Sequence, residues 1–248
     1  MKFAVCSLVI GDAYKKAMEI CTKTQEEHAA RHGYTRITDE SCWDPSRAHS
    51  WSKIPLLQKY LHDYDYLFWL DADVMIMNPE RKIEDFIGLL PDDKFLFIGH
   101  DLNNLNAGIF VIRNCPRAHE FLADAWSKTQ YINHPWWEQA AFIELWHSPK
   151  YRPFIEVLPH KYISIMNAYD PIIDRHVHWC PGDWAFHLAG LRVSGHDDVA
   201  KQREYQTRIS TDPAGRARFD AYITERSAII SRLQSVRAQS QPDHAPYP

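Results

Sequence analysis

The stretch Tyr66-Leu67-Phe68-Trp69-Leu70-Asp71-Ala72-Asp73-Val74-Met75-Ile76-Met77-Asn78-Pro79 decides how the rest of the chain is read. Its first five residues, Tyr66 to Leu70, are too few for a helix. They fit a strand covered on both faces, the pattern of a central parallel strand. The run ends in Asp71 and Asp73, one residue apart, and Asn78-Pro79 then turns the chain. Ligands of open α/β sheets bind outside the carboxyl ends of the strands. Two carboxylates placed there are costly unless a cation shares the site. Oxygen donors favour Mg²⁺ or Mn²⁺, ions whose coordination substrate phosphates commonly complete. The expectation is therefore a divalent ion held by Asp71 and Asp73 against a diphosphate. A turn cap or a pair of solvated acids would give the same letters, but neither needs a buried strand in front of it.

Outward from this stretch the chain alternates strands and helices. Phe3 to Ile10 reads as a buried strand. Tyr14, Ala17, Met18, Cys21 and Ala29 then recur at helical spacing as far as His32, and Gly33 suits the position just past a helix end. Tyr34 to Thr38 reads as a second strand, and strand–helix–strand is the unit of a parallel sheet. Ser41 to Ser50 is polar and turn-like. Trp51 to Tyr64 carries a helical stripe of Leu56, Leu57, Tyr60 and Leu61 that leads into the aspartate strand. Beyond it come a short helix over Ile83–Leu90 and a strand over Phe95–Ile98. The loop Asn103–Gly108 enters a strand over Ile109–Ile112. Two helices follow, one from Pro116 and one over Trp136–Trp146, and a last short strand spans Trp184–Leu188.

Composition narrows the class of function. At 248 residues, 45% of them hydrophobic, the chain can bury one sizeable core or two modest ones. A net charge of −4 without a basic tract argues against a nucleic-acid partner. The five cysteines, at 6, 21, 42, 115 and 180, show no metal or redox spacing, which fits a reducing compartment. No apolar run is long enough to span a membrane, and the expected setting is soluble and cytoplasmic. Residues 201–239 differ, with eight Lys/Arg against four Asp/Glu, and Phe219, Tyr222, Ile223, Ile229, Ile230, Leu233 and Val236 form a helical stripe. Such a basic amphipathic helix can lie on an anionic membrane, dock on a protein partner or cover its own domain. The expected organisation is a catalytic domain over 1–200, a helical extension over 201–240 and a disordered tail over 241–248.

Several of these pieces occur together, and in this order, in one family. A strand ends in L-D-A-D; N-A-G leads into I-F-V-I-R-N; an E-Q pair opens an aromatic helix; and F-H-L-A-G follows near residue 190. Over roughly residues 3 to 192 the chain resembles the retaining glycosyltransferases that include fungal α-galactosyl- and α-mannosyltransferases and plant xyloglucan α-xylosyltransferases. The resemblance implies a GT-A fold, an α/β domain with a mixed, mostly parallel sheet. It further implies Mn²⁺ or Mg²⁺ as cofactor, a nucleotide-sugar donor (a UDP- or GDP-sugar) and a glycan or other hydroxyl acceptor.

Carried across by residue, the resemblance makes Asp71, Asp73 and His187 the metal ligands. It places Asn106, Ala107, Gly108 and Gly190 around the donor. Where the family has a lysine on the diphosphate, this chain has Arg192, whose guanidinium can grip phosphate bidentately. Lys53 is a further candidate for the phosphates, or else a solvated lysine. Glu138 and Gln139 fall near the reacting carbon, although the family often has Asp where Glu138 stands. Gln139 would bind sugar hydroxyls or support the charge developing at C1; Glu138 would orient donor or acceptor, or act as a transient nucleophile. Trp136, Trp137, Trp179 and Trp184 are candidate stacking platforms for a sugar acceptor. Two other readings stay open. One is a haloacid-dehalogenase-like phosphatase or phosphomutase with Asp71 as nucleophile; the other is a nucleotide- or sugar-binding module without turnover.

Overall fold

A computed structural model describes residues 1–88, 91–101, 104–158 and 184–187. The first strand is β1 (Phe3–Cys6), followed by α1 (Asp12–His32) and β2 (Thr35–Ile37). Gly33 ends α1 at φ 70°. Its amide donates to the Ala30 carbonyl and the Tyr34 amide to the Ala29 carbonyl, the paired closure that only a left-handed residue permits. A 3₁₀ turn then leads to α2 (Lys53–Tyr60) and β3 (Tyr66–Leu70), which matches the expected aspartate strand. Next come β4 (Val74–Ile76), the single-turn α3 (Glu84–Ile87), β5 (Leu96–Asp101) and β6 (Asn104–Arg113). After them lie α4 (Pro116–Ser127), opened by its proline, α5 (Trp137–His147), β7 (Ile155–Val157) and β8 (Ala185–His187).

The main sheet has the order β2-β1-β3-β6-β5-β7. All its strands run parallel except β6, which is antiparallel to β3 and β5. The expected central parallel strand thus has one parallel neighbour, β1, and one antiparallel neighbour. The short link between β5 and β6 accounts for the reversal, because a parallel return needs a crossover. Alternate residues of β3 feed two cores. Leu67 and Trp69 pack with α2, α4 and α5, whereas Phe68 and Leu70 pack with Ala29, Trp184 and Ala185 on the opposite face. Each such side chain taken fully from water stabilises by roughly 1.5–3 kcal/mol. A strand buried on both sides is therefore a rigid base for the residues at its end.

Several boundaries differ from the sequence reading. Ser7 to Ile10 leave the ladder after the Ser7 amide reaches the Ile37 carbonyl. The anticipated loop before Ile109 is strand from Asn104 onward. Its partner β5 continues through an irregularity at Ile98/Gly99 and pairs Gly99 with Asn106 and His100 with Leu105. A partner's open edge overrides the weak β preference of Asn and Gly. β4 and β7, both of three residues, carry too little pattern to stand out. Trp184 is wholly buried and stacks on Phe68 with centroids 4.6 Å apart, so it is core and not a sugar platform. No described helix is long and apolar enough to cross a membrane. Gly190, Arg192, Trp179, the helical extension over 201–240 and the tail over 241–248 lie outside the described residues.

Candidate metal and donor site

The site forms where β3 ends. Asp71 to Val74 make a turn closed by the Val74 amide on the Asp71 carbonyl at 3.0 Å. The Asp71 amide donates to the Gly108 carbonyl of β6 at 2.8 Å, which ties the turn to the sheet. β4 leaves the turn and pairs antiparallel with β8, setting Val74 opposite His187. That pairing brings His187 Nε2 to 3.2 Å from Asp73 Oδ1. Ligand atoms of Asp71, Asp73 and His187 all lie within 4.8 Å of one another, the one such cluster of three found among the described residues. A single ion with bonds of about 2.1 Å closes that spacing after small side-chain rotations.

Gly108 explains how the imidazole reaches this position. A Cβ built on Gly108 would overlap His187 Cε1 and stand 2.9 Å from its Nδ1. The missing side chain is the space that the ring occupies. The Asn106 side chain fastens the same backbone, its Oδ1 accepting from the Gly108 amide at 2.8 Å. The N-A-G segment thus presents backbone, and one steric vacancy, to the candidate metal ligands.

Beneath Asp71 lies a buried ion network. Lys53, only 2% exposed, directs its ammonium at Glu138 Oε1 (2.6 Å), the Ala107 carbonyl (2.7 Å) and Asp71 Oδ1 (3.1 Å). These three contacts use all three ammonium hydrogens. Burial works against its charge, but the carboxylates of Asp71 and Glu138 outweigh that and hold Lys53 above the usual lysine range. The solvated lysine that the sequence left open is not what is found. Trp69 Nε1 donates to the same Asp71 oxygen at 2.7 Å, a contact that no sequence signal announced. Asp73 is lowered below the usual carboxylate range. Burial opposes its ionisation, and the His187 imidazole, which also hydrogen-bonds it, more than compensates.

The chemistry of the donor set fits a divalent cation. Two carboxylates and an imidazole suit a hard-to-borderline ion. Asp71, Asp73 and Glu138 with Lys53 carry a formal charge of −2 when His187 is neutral, which a doubly charged ion balances. Gln139 and Glu138 sit in the first turn of α5, one turning toward Ala107 and the other toward Lys53. Gln139 Oε1 accepts the Ala107 amide at 3.0 Å, while Glu138 Oε2 is buried with no hydrogen-bond partner among the described residues. Trp137, just before them, has φ 44°, a left-handed conformation that costs a bulky residue about 1–2 kcal/mol. The two contacts that follow it hold it there. Trp136 and Trp137 are 41% and 37% exposed.

A mixed α/β sheet with a candidate metal-binding cluster at the carboxyl end of a central strand is the arrangement expected of the GT-A class of glycosyltransferases. Within that class, the profile of the galactosyl transferase GMA12/MNN10 family matches residues 3–92 and 89–198, and the chain belongs to that family. It is 27% identical over 257 residues to an uncharacterized alpha-1,2-galactosyltransferase of Schizosaccharomyces pombe, covering 85% of this chain and 65% of the relative. It is 28% identical over 210 residues to an alpha-1,2-galactosyltransferase of the same yeast, covering 68% of this chain and 54% of the relative. The chain thus spans between half and two thirds of the length of these relatives. Among solved structures, a glycosyltransferase involved in glycosylation of the major capsid of PBCV-1 superposes with TM-score 0.65 at 16% identity. That match covers 83% of this chain and 99% of the other, a likeness of fold. Family membership disfavours the dehalogenase-type and non-catalytic readings. Asp71 is also poorly placed as a nucleophile, since one of its oxygens already accepts from Trp69 and Lys53.

Proposed function

We propose that the chain is a metal-dependent glycosyltransferase that moves a sugar, with retained anomeric configuration, from a nucleotide-sugar donor to a hydroxyl of a glycan acceptor. The observation that carries this reading is the convergence of Asp71, Asp73 and His187 at the end of β3 in a member of this family. Galactose on a UDP carrier is the first donor to try, because the family description and both yeast relatives are galactosyltransferases by name. Mn²⁺ suits the mixed carboxylate–imidazole donor set, with Mg²⁺ as the substitute.

In this reading Asp71, Asp73 and His187 hold the ion, and Arg192 is the residue that the resemblance assigns to the diphosphate. When bound, the ion supplies Lewis-acid neutralisation of the charge that develops on the departing diphosphate, worth several kcal/mol. Gln139 is fixed by its bond to the Ala107 amide, which leaves its NH₂ to donate to a sugar hydroxyl. The buried, unpartnered Oε2 of Glu138 is the acceptor left to orient a hydroxyl of donor or acceptor once the site admits one. Lys53 neither acts on substrate nor exchanges protons; it keeps Asp71 and Glu138 in place. A glycan acceptor stacks on Trp136 or Trp137, beside a cleft of about 350 Å³ lined by Tyr131, His134, Trp136, Ile143, Glu144 and His147. Peripheral docking through residues 201–240 rests on sequence alone.

A thermal-shift screen of UDP-galactose and other nucleotide sugars, with and without Mn²⁺, tests the reading. Mass action predicts a higher melting temperature for the true donor only when metal is present. Asp73→Ala should remain folded and lose nearly all transfer. Full turnover by a metal-stripped sample would overturn the proposal.

A further inference from the structure

One face of α1 is polar where a helix lying on a sheet is normally apolar, and it is aimed at the aspartate turn. Thr24 Oγ1 accepts the Ile76 amide at 2.9 Å, His28 Nε2 meets the Arg81 carbonyl at 2.8 Å, and His32 Nε2 meets the Pro79 carbonyl at 2.8 Å. Gln25, wholly buried among them, makes the most specific set of contacts. Its NH₂ donates to the Asp71 carbonyl at 2.9 Å and the Val74 carbonyl at 2.8 Å, the two ends of the turn that carries both metal-site aspartates. Its Oε1 accepts from Arg36 Nη2 at 2.9 Å, and Arg36 in turn holds the Val5 carbonyl of β1 through Nη1 at 3.2 Å.

The chemistry admits one orientation. Two carbonyls can only accept and a guanidinium can only donate, so the amide must present NH₂ to the turn and oxygen to Arg36. Among side chains of this length, glutamate could accept from Arg36 but would offer the carbonyls no hydrogen. Methionine would offer neither. Asparagine has the right groups on a stem one carbon shorter.

We infer that Gln25 is a positioning residue for the metal site: it clamps both ends of the Asp71–Val74 turn so that the Asp71 and Asp73 carboxylates converge on His187. The clamp rests on the metal reading above, yet its own contribution can be separated. With the turn pinned at the Asp71 amide by Gly108 and at both carbonyls by Gln25, the two carboxylates have little freedom to splay. A binding set preorganised in this way needs no ordering when the ligand arrives.

The test is a titration of the purified 248-residue chain with Mn²⁺ alone, following free Mn²⁺ by electron paramagnetic resonance, alongside thermal melts. Gln25→Met should bind Mn²⁺ about tenfold more weakly than wild type while still melting cooperatively. Arg36→Met keeps the carboxamide but frees its orientation, and should lose about two- to threefold. His32→Ala serves as the control: it breaks a contact of the same helix face beyond the turn, and should melt earlier with unchanged Mn²⁺ affinity. Wild-type affinity in Gln25→Met, or in Arg36→Met should Gln25→Met fail to fold, reduces the clamp to ordinary packing and overturns the inference. If wild type itself binds no Mn²⁺, the metal reading falls and the inference with it, which is a different outcome from the first.

Discussion

Lys53→Met separates a lysine that holds the site together from one that would grip phosphate. Lys53 and Glu138 are both almost wholly buried and paired at 2.6 Å. Removing the ammonium leaves the Glu138 carboxylate with no partner for either oxygen among the described residues. Stranding one member of a buried pair costs about 3–5 kcal/mol. The Ala107 carbonyl loses its donor as well, for about another 1 kcal/mol. Asp71 is about a third exposed and keeps its bond from Trp69, so it adds little. The expected loss is therefore about 4–6 kcal/mol, a large share of the roughly 5–15 kcal/mol that stabilises a domain. For a chain of this size it corresponds to a fall in Tm on the order of 10 °C or more. Urea denaturation monitored by tryptophan fluorescence should show a lower midpoint with an unchanged slope. Glu138→Leu placed in the Lys53→Met background should recover part of the loss, because it removes the stranded charge, and the double-mutant cycle should give a coupling of at least about 2 kcal/mol. A loss under about 1 kcal/mol, or strictly additive effects, would refute the buried-pair argument. Weakened nucleotide binding in a variant of undiminished stability would instead make Lys53 a phosphate ligand.

Gly108→Ala should expel the His187 ring, since the new Cβ has no room beside it; Mn²⁺ affinity should fall at least tenfold in a direct titration, and unchanged affinity would remove His187 from the ligand set. Gln139→Ala should lower turnover more than it weakens nucleotide binding, which steady-state kinetics beside nucleotide titrations will separate. His28 is wholly buried, and burial, only partly offset by its bond to the Arg81 carbonyl, lowers its pKa from 6.5 to about 4. The unfolded chain thus binds the extra proton first as pH falls. Stability from the neutral ring is fully present above pH 6.5 and is lost progressively toward about pH 4, for up to about 3 kcal/mol. Replacing the ring by glutamine, His28→Gln, keeps a donor for Arg81 and should flatten that part of the stability–pH curve measured by chemical denaturation. An unaltered acid slope would place the sensitivity elsewhere.

Local pattern, written in consecutive residues, was enough to find β3 with its two aspartates, the α1 helix up to Gly33 and the proline start of α4. Each is decided by neighbours in the chain: an unbroken apolar run, a helical period, a residue free to turn left-handed. The order of the motifs along the chain also carries the family resemblance. Other features depend on groups that only folding brings together. Nothing in the chain near Lys53 distinguishes a lysine in water from one enclosed by Glu138, Asp71 and Ala107. The reversed β6, the three-residue β4 and its pairing with β8 follow from which sheet edges were open, not from the preferences of Asn, Gly or Val. Gln25 looked unremarkable and Gly108 was legible only as part of the donor loop, because what they do, holding the two ends of a turn and leaving space for a ring, exists only against partners from other strands and helices. The sequence determined which side chains could hold a cation; long-range packing decided what holds them at the distance and angle where a cation can be held.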